Sequence, residues 1–220
     1  MNKKLKIIGC ITIISICAFL GIYNGLKTTD LSTEMYNGLP VNYAHSLWMY
    51  DSSTPERAVG ISDYVFVAKI NKILRTEYTN QMEIEVGLNE TETFSNPYTI
   101  YEIEVIENIK GNLIIGEPIE FKQYGGLNSD GVSYTFLEGG SLLNVGEYYI
   151  ILCNTFGSDR EIEVADPDRI VSLGSHYNPY TRSNNVISVY RNAFINQIVP
   201  EDLNEFDNNI SKYDVNYVSE

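Results

Sequence analysis

The most regular feature of the chain is a two-residue alternation of apolar and polar positions, the signature of strands. Residues 64–75, YVFVAKINKILR, open with a continuous β-branched and aromatic run and pass into alternation. Residues 82–86, MEIEV, alternate briefly. Residues 98–109, YTIYEIEVIENI, set Thr99, Tyr101, Ile103 and Val105 on one face and Glu102 and Glu104 on the opposite, wetter one. Lys110-Gly111-Asn112 and Gly116 supply turn chemistry, and residues 118–124, PIEFKQY, then alternate again, with Pro118 tolerated at a strand start. The run EYYIILC after Val145-Gly146 reads as a buried strand. Residues 162–164 and 169–173 read as two short strands around a turn at Asp166-Pro167-Asp168.

The period changes in two places. Residues 54–61, TPERAVGI, predict a short helix, with Thr54 as its cap, Pro55 in the first turn and Glu56 at the positive end. Residues 188–198 bring Tyr190, Ala193, Phe194, Gln197 and Ile198 onto one helical face, and Pro200 stops that helix. Beyond it, Leu203, Phe206 and Ile210 are spaced for a marginal helix in a tail that is expected to fray. The fold class is mainly β with flanking short helices. Seventeen Tyr against one Trp agree with it, because Tyr suits half-buried strand surfaces.

The N-terminus follows another rule. Residues 1–6, MNKKLK, are basic, and residues 7–23, IIGCITIISICAFLGIY, carry no charge. Seventeen residues at the helical rise give about 26 Å, close to a bilayer core. The basic flank is expected to stay cytoplasmic, which puts the rest of the chain outside. The sequence AFLGIYNGL offers no good pair of small residues for signal cleavage, the nearest being Ser15 with Cys17. Ile7-Ile8-Gly9-Cys10 has the letters of a lipobox but precedes the apolar run. An uncleaved signal anchor is the reading adopted; a cleaved signal and lipidation are the alternatives. The organisation expected is a cytoplasmic basic segment (1–6), a transmembrane signal anchor (7–23), a stalk (24–53), an extracytoplasmic β-rich domain (54–199) and an acidic C-terminal tail (200–220). The expected location is the cell membrane, single-pass.

Charge narrows the partners. Residues 1–30 hold four Lys against one Asp, leaving 11 basic and 28 acidic side chains in the remainder. Phosphate backbones and anionic headgroups repel such a domain, so no nucleic acid is expected as a partner. Cys10 and Cys17 lie in the apolar segment, so Cys153 is alone in the remainder and no disulfide forms there. Exported chains without disulfides suit a bacterial envelope.

Neither His45, in YAHSLW, nor His176, in GSHYNPY, has a nucleophile in a recognised setting, and with one Cys they do not compose a typical zinc site. Carboxylate pairs include Glu102 with Glu104 and Asp166 with Asp168, and Glu102 with Glu104 on one strand face reads as a solvated face rather than an acid/base pair. LNSDGVSYTFLE lacks the repeated acidic ligands of an EF-hand. No catalytic residue, metal or cofactor is therefore expected. The glycine-punctuated stretch from Gly125 to Gly140 is the candidate binding loop, with Tyr124, Asp130, Tyr134 and Glu138 as its contact residues and Asp130-Gly131 as its turn.

Three motifs carry a resemblance. They are Ser62-Asp63 before YVFVAKI, Ile109-Lys110-Gly111 after the long strand, and Gly146-Glu147-Tyr148 before the last buried strand. With the order of elements over residues 54–155, about half the chain, they resemble the netrin-like domain of tissue inhibitors of metalloproteinases, a small OB-like barrel, and its relatives in Gram-positive envelope proteins. The resemblance implies an OB-like barrel for the β-rich domain. In the eukaryotic inhibitors an N-terminal cysteine presents its amine and carbonyl to a protease zinc. No cysteine stands at the start of this domain, so the resemblance extends to fold and not to protease inhibition. The expected function is a membrane-anchored extracytoplasmic binding module whose partner is an envelope protein or polymer. The alternatives are a carboxylate-dependent envelope hydrolase and an inhibitor or immunity factor.

Overall fold

The computed structural model describes residues 34–46, 49–87, 90–178, 185–205 and 210–218. The basic segment, the expected membrane span at 7–23 and Trp48 lie outside these ranges. Among the described residues no helix is long and apolar enough to cross a membrane. The chain divides into two compact units, Met1–Pro40 and Val41–Glu220. In the first, β1 (Met35–Tyr36) folds back on the opening residues of β2 (Leu39–Ala44) through Asn37-Gly38, both at positive φ, as a two-residue hairpin turn requires.

The second unit is built on one long hairpin. Strand β3 (Tyr64–Gly87) pairs antiparallel with β4 (Glu90–Lys110) from Val65↔Lys110 out to Gly87↔Glu90. The residues at 64–75 and at MEIEV, which sequence periodicity separates, are thus one strand. The polar run between them is absorbed by a register shift between Thr79 and Met82, with Asn80 at φ 52°. A bulge of this kind interrupts alternation without ending the ladder.

Around the base of this hairpin the sheet runs β10-β8-β3-β4-β5-β9. It uses β5 (Pro118–Tyr124), β8 (Tyr148–Phe156), β9 (Glu161–Val164) and β10 (Ile170–Gly174). β9 pairs parallel with β5 and antiparallel with β8, so the pairings β8-β3-β4-β5-β9 return to β8. The core explains the sequence pattern. Phe66, Ala68 and Ile70 of β3, Tyr101, Ile103 and Val105 of β4, and Ile151 and Cys153 of β8 meet in one cluster. Val65 and Val67 of β3 and Ile150 and Leu152 of β8 form another with Ala58, Val59, Ile187 and Ala193 from two helices. Both faces of β3 and β8 are covered here, which is why YVFVA and YYIILC read as continuous apolar runs. On β4, Thr99, Tyr101, Ile103 and Val105 are buried as its alternation predicts, while Ile100 is buried on the opposite face and Ile109 packs in the second cluster.

Helix α1 (Pro55–Gly60) starts where expected, its first turn capped by Thr54 Oγ1, which accepts from Arg57 N at 3.4 Å. Helix α2 (Asn185–Ile195) buries Ile187 and Ala193. Tyr190 and Ala193 pack inward as expected, together with Ile187 a turn earlier, whereas Phe194 is exposed and Ile198, beyond the helix end, is exposed too. Gly60 allows the chain after α2 to close on α1: a Cβ there would sit 1.9 Å from the Ile198 carbonyl oxygen.

Two further segments differ from expectation. Val41–Ala44, within the expected stalk, pair parallel with β7 (Tyr134–Leu137), which also pairs with β6 (Gly126–Leu127). The tail holds a 3-10 turn at Glu201–Glu205 rather than an α-helix, and its later part is tied down. Ile114 N donates to Tyr213 O, Val215 N to Asn112 O, and Lys212 N to Arg160 O. Those bonds give residues 211–217 backbone partners that their own sequence does not reveal.

Candidate functional site

The end of α1, the start of β3 and the end of β4 meet at a cleft of about 810 Å³. Ser62 and Asp63 leave α1. Ser62 Oγ donates to Ala58 O at 2.6 Å, and Lys110 Nζ donates to Val59 O at 2.8 Å, so a hydroxyl and a cation satisfy carbonyls at the helix C-terminus. Asp63 N donates to Cys153 O, and Asp63 Oδ2 accepts from Thr155 N at 2.8 Å. Asn154 Nδ2 donates to Ile61 O, while Arg169 Nη2 reaches both Ser62 Oγ and Asn154 Oδ1 at 2.6 Å. One carboxylate and two cations thus share a part-buried polar network.

The electrostatics follow from that crowding. Burial pushes the Asp63 carboxyl up from its ordinary value, against the Thr155 amide and the charges of Lys110 and Arg169, which hold it down. Burial also lowers Lys110, with Asp63 opposing the shift. Full burial drives the Cys153 thiol up from its ordinary value, and the side chain sits in the core.

On the opposite wall, Tyr64 O–H donates to Asp214 Oδ2 at 3.1 Å and its oxygen accepts from Ser211 N at 2.9 Å, fixing the returning tail. Gly111 makes this approach possible. Its φ is +83°, and a Cβ there would stand 2.3 Å from the Tyr64 ring. Met49, Phe156, Val199 and Ile210 supply an exposed apolar rim over this polar floor.

Two of the three motifs that carry the resemblance, Ser62-Asp63 and Lys110-Gly111, therefore line one cleft. The third does not: Gly146 N donates to Ile70 O, and Glu147 O accepts from Ile70 N, farther along β3. Tyr64, Asn154 and Asp214 were not singled out from sequence. Asp214 in particular lies in an acidic tail that offers no pattern to distinguish it.

The candidate loop residues are spread over separate contacts. Tyr124 meets Tyr98 edge-on at 5.4 Å, and burial raises its hydroxyl pKa. Asp130 Oδ1 accepts from Val132 N in the turn that holds Gly131. Tyr134 stacks on Phe136 at 5.8 Å between ring centroids. Glu138 pairs with His45 at 3.2 Å, both largely exposed. None of the four lines the cleft. Asp166 Oδ1 accepts from Asp168 N and caps the 3-10 turn Pro167–Arg169, while Glu102 pairs with Lys72 at 2.9 Å. Among the described residues no group of three His, Cys, Asp or Glu is placed to hold a metal ion.

No protein-family model matches the chain, and no curated protein matches it either.

Proposed function

We propose that this protein is a membrane-anchored extracytoplasmic binding module, that its β-rich domain is an OB-like barrel of the netrin-like type, and that it engages an envelope protein or polymer in the cleft beside Asp63 and Lys110. The circuit of pairings from β8 through β3, β4, β5 and β9 back to β8 supports the barrel. The observation that carries the binding reading is the makeup of the cleft: an apolar rim of Met49, Phe156, Val199 and Ile210 over a floor of Asp63, Lys110, Asn154 and Asp214. Concave sites that combine apolar walls with a few fixed polar groups are the usual form of a ligand pocket.

Two carboxylates in one cleft, one of them raised, favour carboxylate-dependent hydrolysis of an envelope polymer as the second reading. Against it, Asp63 is held by the Thr155 amide, and Asp214 accepts from Tyr64 O–H and from Asn216 N. Both carboxylates already serve the fold. The test is a photo-crosslinking residue at Phe156 in the full anchored chain, irradiated in intact cells. Capture of one envelope protein or polymer, lost in Asp63→Ala, is expected; recovery of the chain alone sinks the binding reading. Polymer cleavage by the purified full chain, abolished by Asp63→Asn, would replace it with the hydrolase. Protease shaving of whole cells tests the topology, and a domain protected until lysis contradicts it.

A further inference from the structure

The distal half of the β3–β4 hairpin is built differently from its base. β8 covers the outer edge of β3 only from Tyr64 to Lys69, and β5 covers that of β4 only from Thr99 to Glu104. Bonds from Tyr78 Oη to Leu127 O and from Gly125 N to Pro97 O mark the last tethers near the base, apart from a long Ser95–Ser129 hydroxyl contact. From Thr79↔Asn96 to Gly87↔Glu90 the two strands pair only with each other among the described residues, leaving two open edges of backbone donors and acceptors. Such edges are templates for another strand unless they are blocked.

Proteins block edges with Lys, with Pro or with covering elements. Nearer the base, Lys72 and Arg75 stand on β3, paired with Glu102, Glu77 and Glu120. Beyond them the chain carries no Lys, Arg or Pro from Thr76 through Asn96, and its charges are Glu77, Glu83, Glu85, Glu90 and Glu92. Glu77 pairs with Arg75 nearer the base, and beyond it stand four carboxylates with no basic residue among them. Two copies of this ribbon would repel each other edge to edge, whereas a basic strand would be attracted.

We infer that the open edge of β3 over residues 79–87 is a docking site for an extended, Lys- or Arg-bearing segment of a partner protein, which adds to the ribbon as a further strand. The backbone ladder provides the bonding and the glutamates select the charge. The site is separate from the cleft beside Asp63, and neither reading depends on the other.

The test uses the purified full chain in detergent with three labelled ten-residue peptides: Lys alternating with Thr, Lys alternating with Pro, and Glu alternating with Thr. The Lys-Thr peptide is expected to bind. The Lys-Pro peptide has the same charge, but its rings fix every second φ at about −65° and hold it in polyproline II rather than the strand geometry the ladder needs, so it should bind about tenfold more weakly. The Glu-Thr peptide should not bind. Replacing Glu83, Glu85, Glu90 and Glu92 together by Lys should exchange the preference between Lys-Thr and Glu-Thr. Hydrogen exchange should show the amides of 79–87 slowed by the Lys-Thr peptide. Equal binding of the Lys-Thr and Lys-Pro peptides would reduce the contact to charge alone and overturn strand addition. Peptide protection elsewhere, or a dimer that forms through the ribbon without peptide, would overturn it as well. Loss of crosslinking at Phe156 has no bearing on these outcomes.

Discussion

The two halves of the β3–β4 hairpin share one hydrogen-bond ladder and differ in everything that surrounds it. At the base, Phe66 and Ala68 face a buried cluster, Val65 and Val67 lie under helices, and neighbouring strands occupy both edges. Past Tyr78 the same strands pair only with each other among the described residues, and Met82 is 59% exposed. A two-stranded ribbon alone is marginal in water, so the distal half persists because the base holds its strands in register. The packed core and the neighbouring strands, and not the ladder the halves share, set the base apart from the distal half.

The largest effect expected is at the base. Phe66→Ala should cost about 3–5 kcal/mol in urea unfolding, as a cavity in a packed core does. Met82→Ala on the distal half should stay within about 0.5 kcal/mol. Comparable losses at the two positions would erase the distinction between the halves.

Next comes the polar network that anchors the start of β3. Asp63→Ala leaves Lys110 and Arg169 without their shared carboxylate and should cost roughly 2–3 kcal/mol, less than a fully buried pair because the group is part-buried. Its pH dependence has a definite sign. Because the folded value is raised, the folded chain holds this proton to higher pH than the unfolded one. The associated stability is complete below the unfolded carboxylate value and is lost as pH rises through the folded one. The wild type should therefore gain on Asp63→Asn as pH falls from neutral into the acid range; a constant difference between them would rule out the raised value.

A smaller cost is expected at the end of β4. Gly111→Ala forces a left-handed backbone on alanine and a methyl group against the Tyr64 ring, for about 1–3 kcal/mol by thermal unfolding. The same change at Gly116, whose Cβ would meet nothing within 4 Å, should cost only the backbone part, roughly 1 kcal/mol.

The smallest effect should come from removing the distal half. Joining Tyr78 to Pro97 through Asn-Gly should change stability by no more than about 1 kcal/mol, because Asn80, Gln81, Met82 and Glu83 are exposed. A collapse of the unfolding transition would show that the ribbon supports the base.

Much of this architecture is legible in local pattern. Thr54-Pro55-Glu56 announces α1, PIEFKQY matches β5, and the inner face of β4 is readable from Thr99 to Val105. On α2 the pattern identifies Tyr190 and Ala193 as inner residues but misses Ile187, and Phe194 and Ile198 are apolar enough to pass for core although they are exposed. The site was readable only in fragments. Ser62-Asp63 and Lys110-Gly111 stood out as motifs, but nothing in the sequence showed that they face each other. The Gly125–Gly140 loop drew attention through its glycines and tyrosines, while its side chains engage separate neighbours.

The period of polar and apolar side chains was enough to establish strands, short helices and the strand faces, because polarity repeats with the geometry of each element. Only the tertiary structure joined 64–75 to MEIEV through a bulge, set β9 parallel to β5, and brought Asp214 to the Tyr64 hydroxyl across 150 residues. Backbone hydrogen bonds are the same for every residue type but proline. The choice of which strand meets which is therefore made by the summed burial of distant side chains, and no local stretch of sequence carries it.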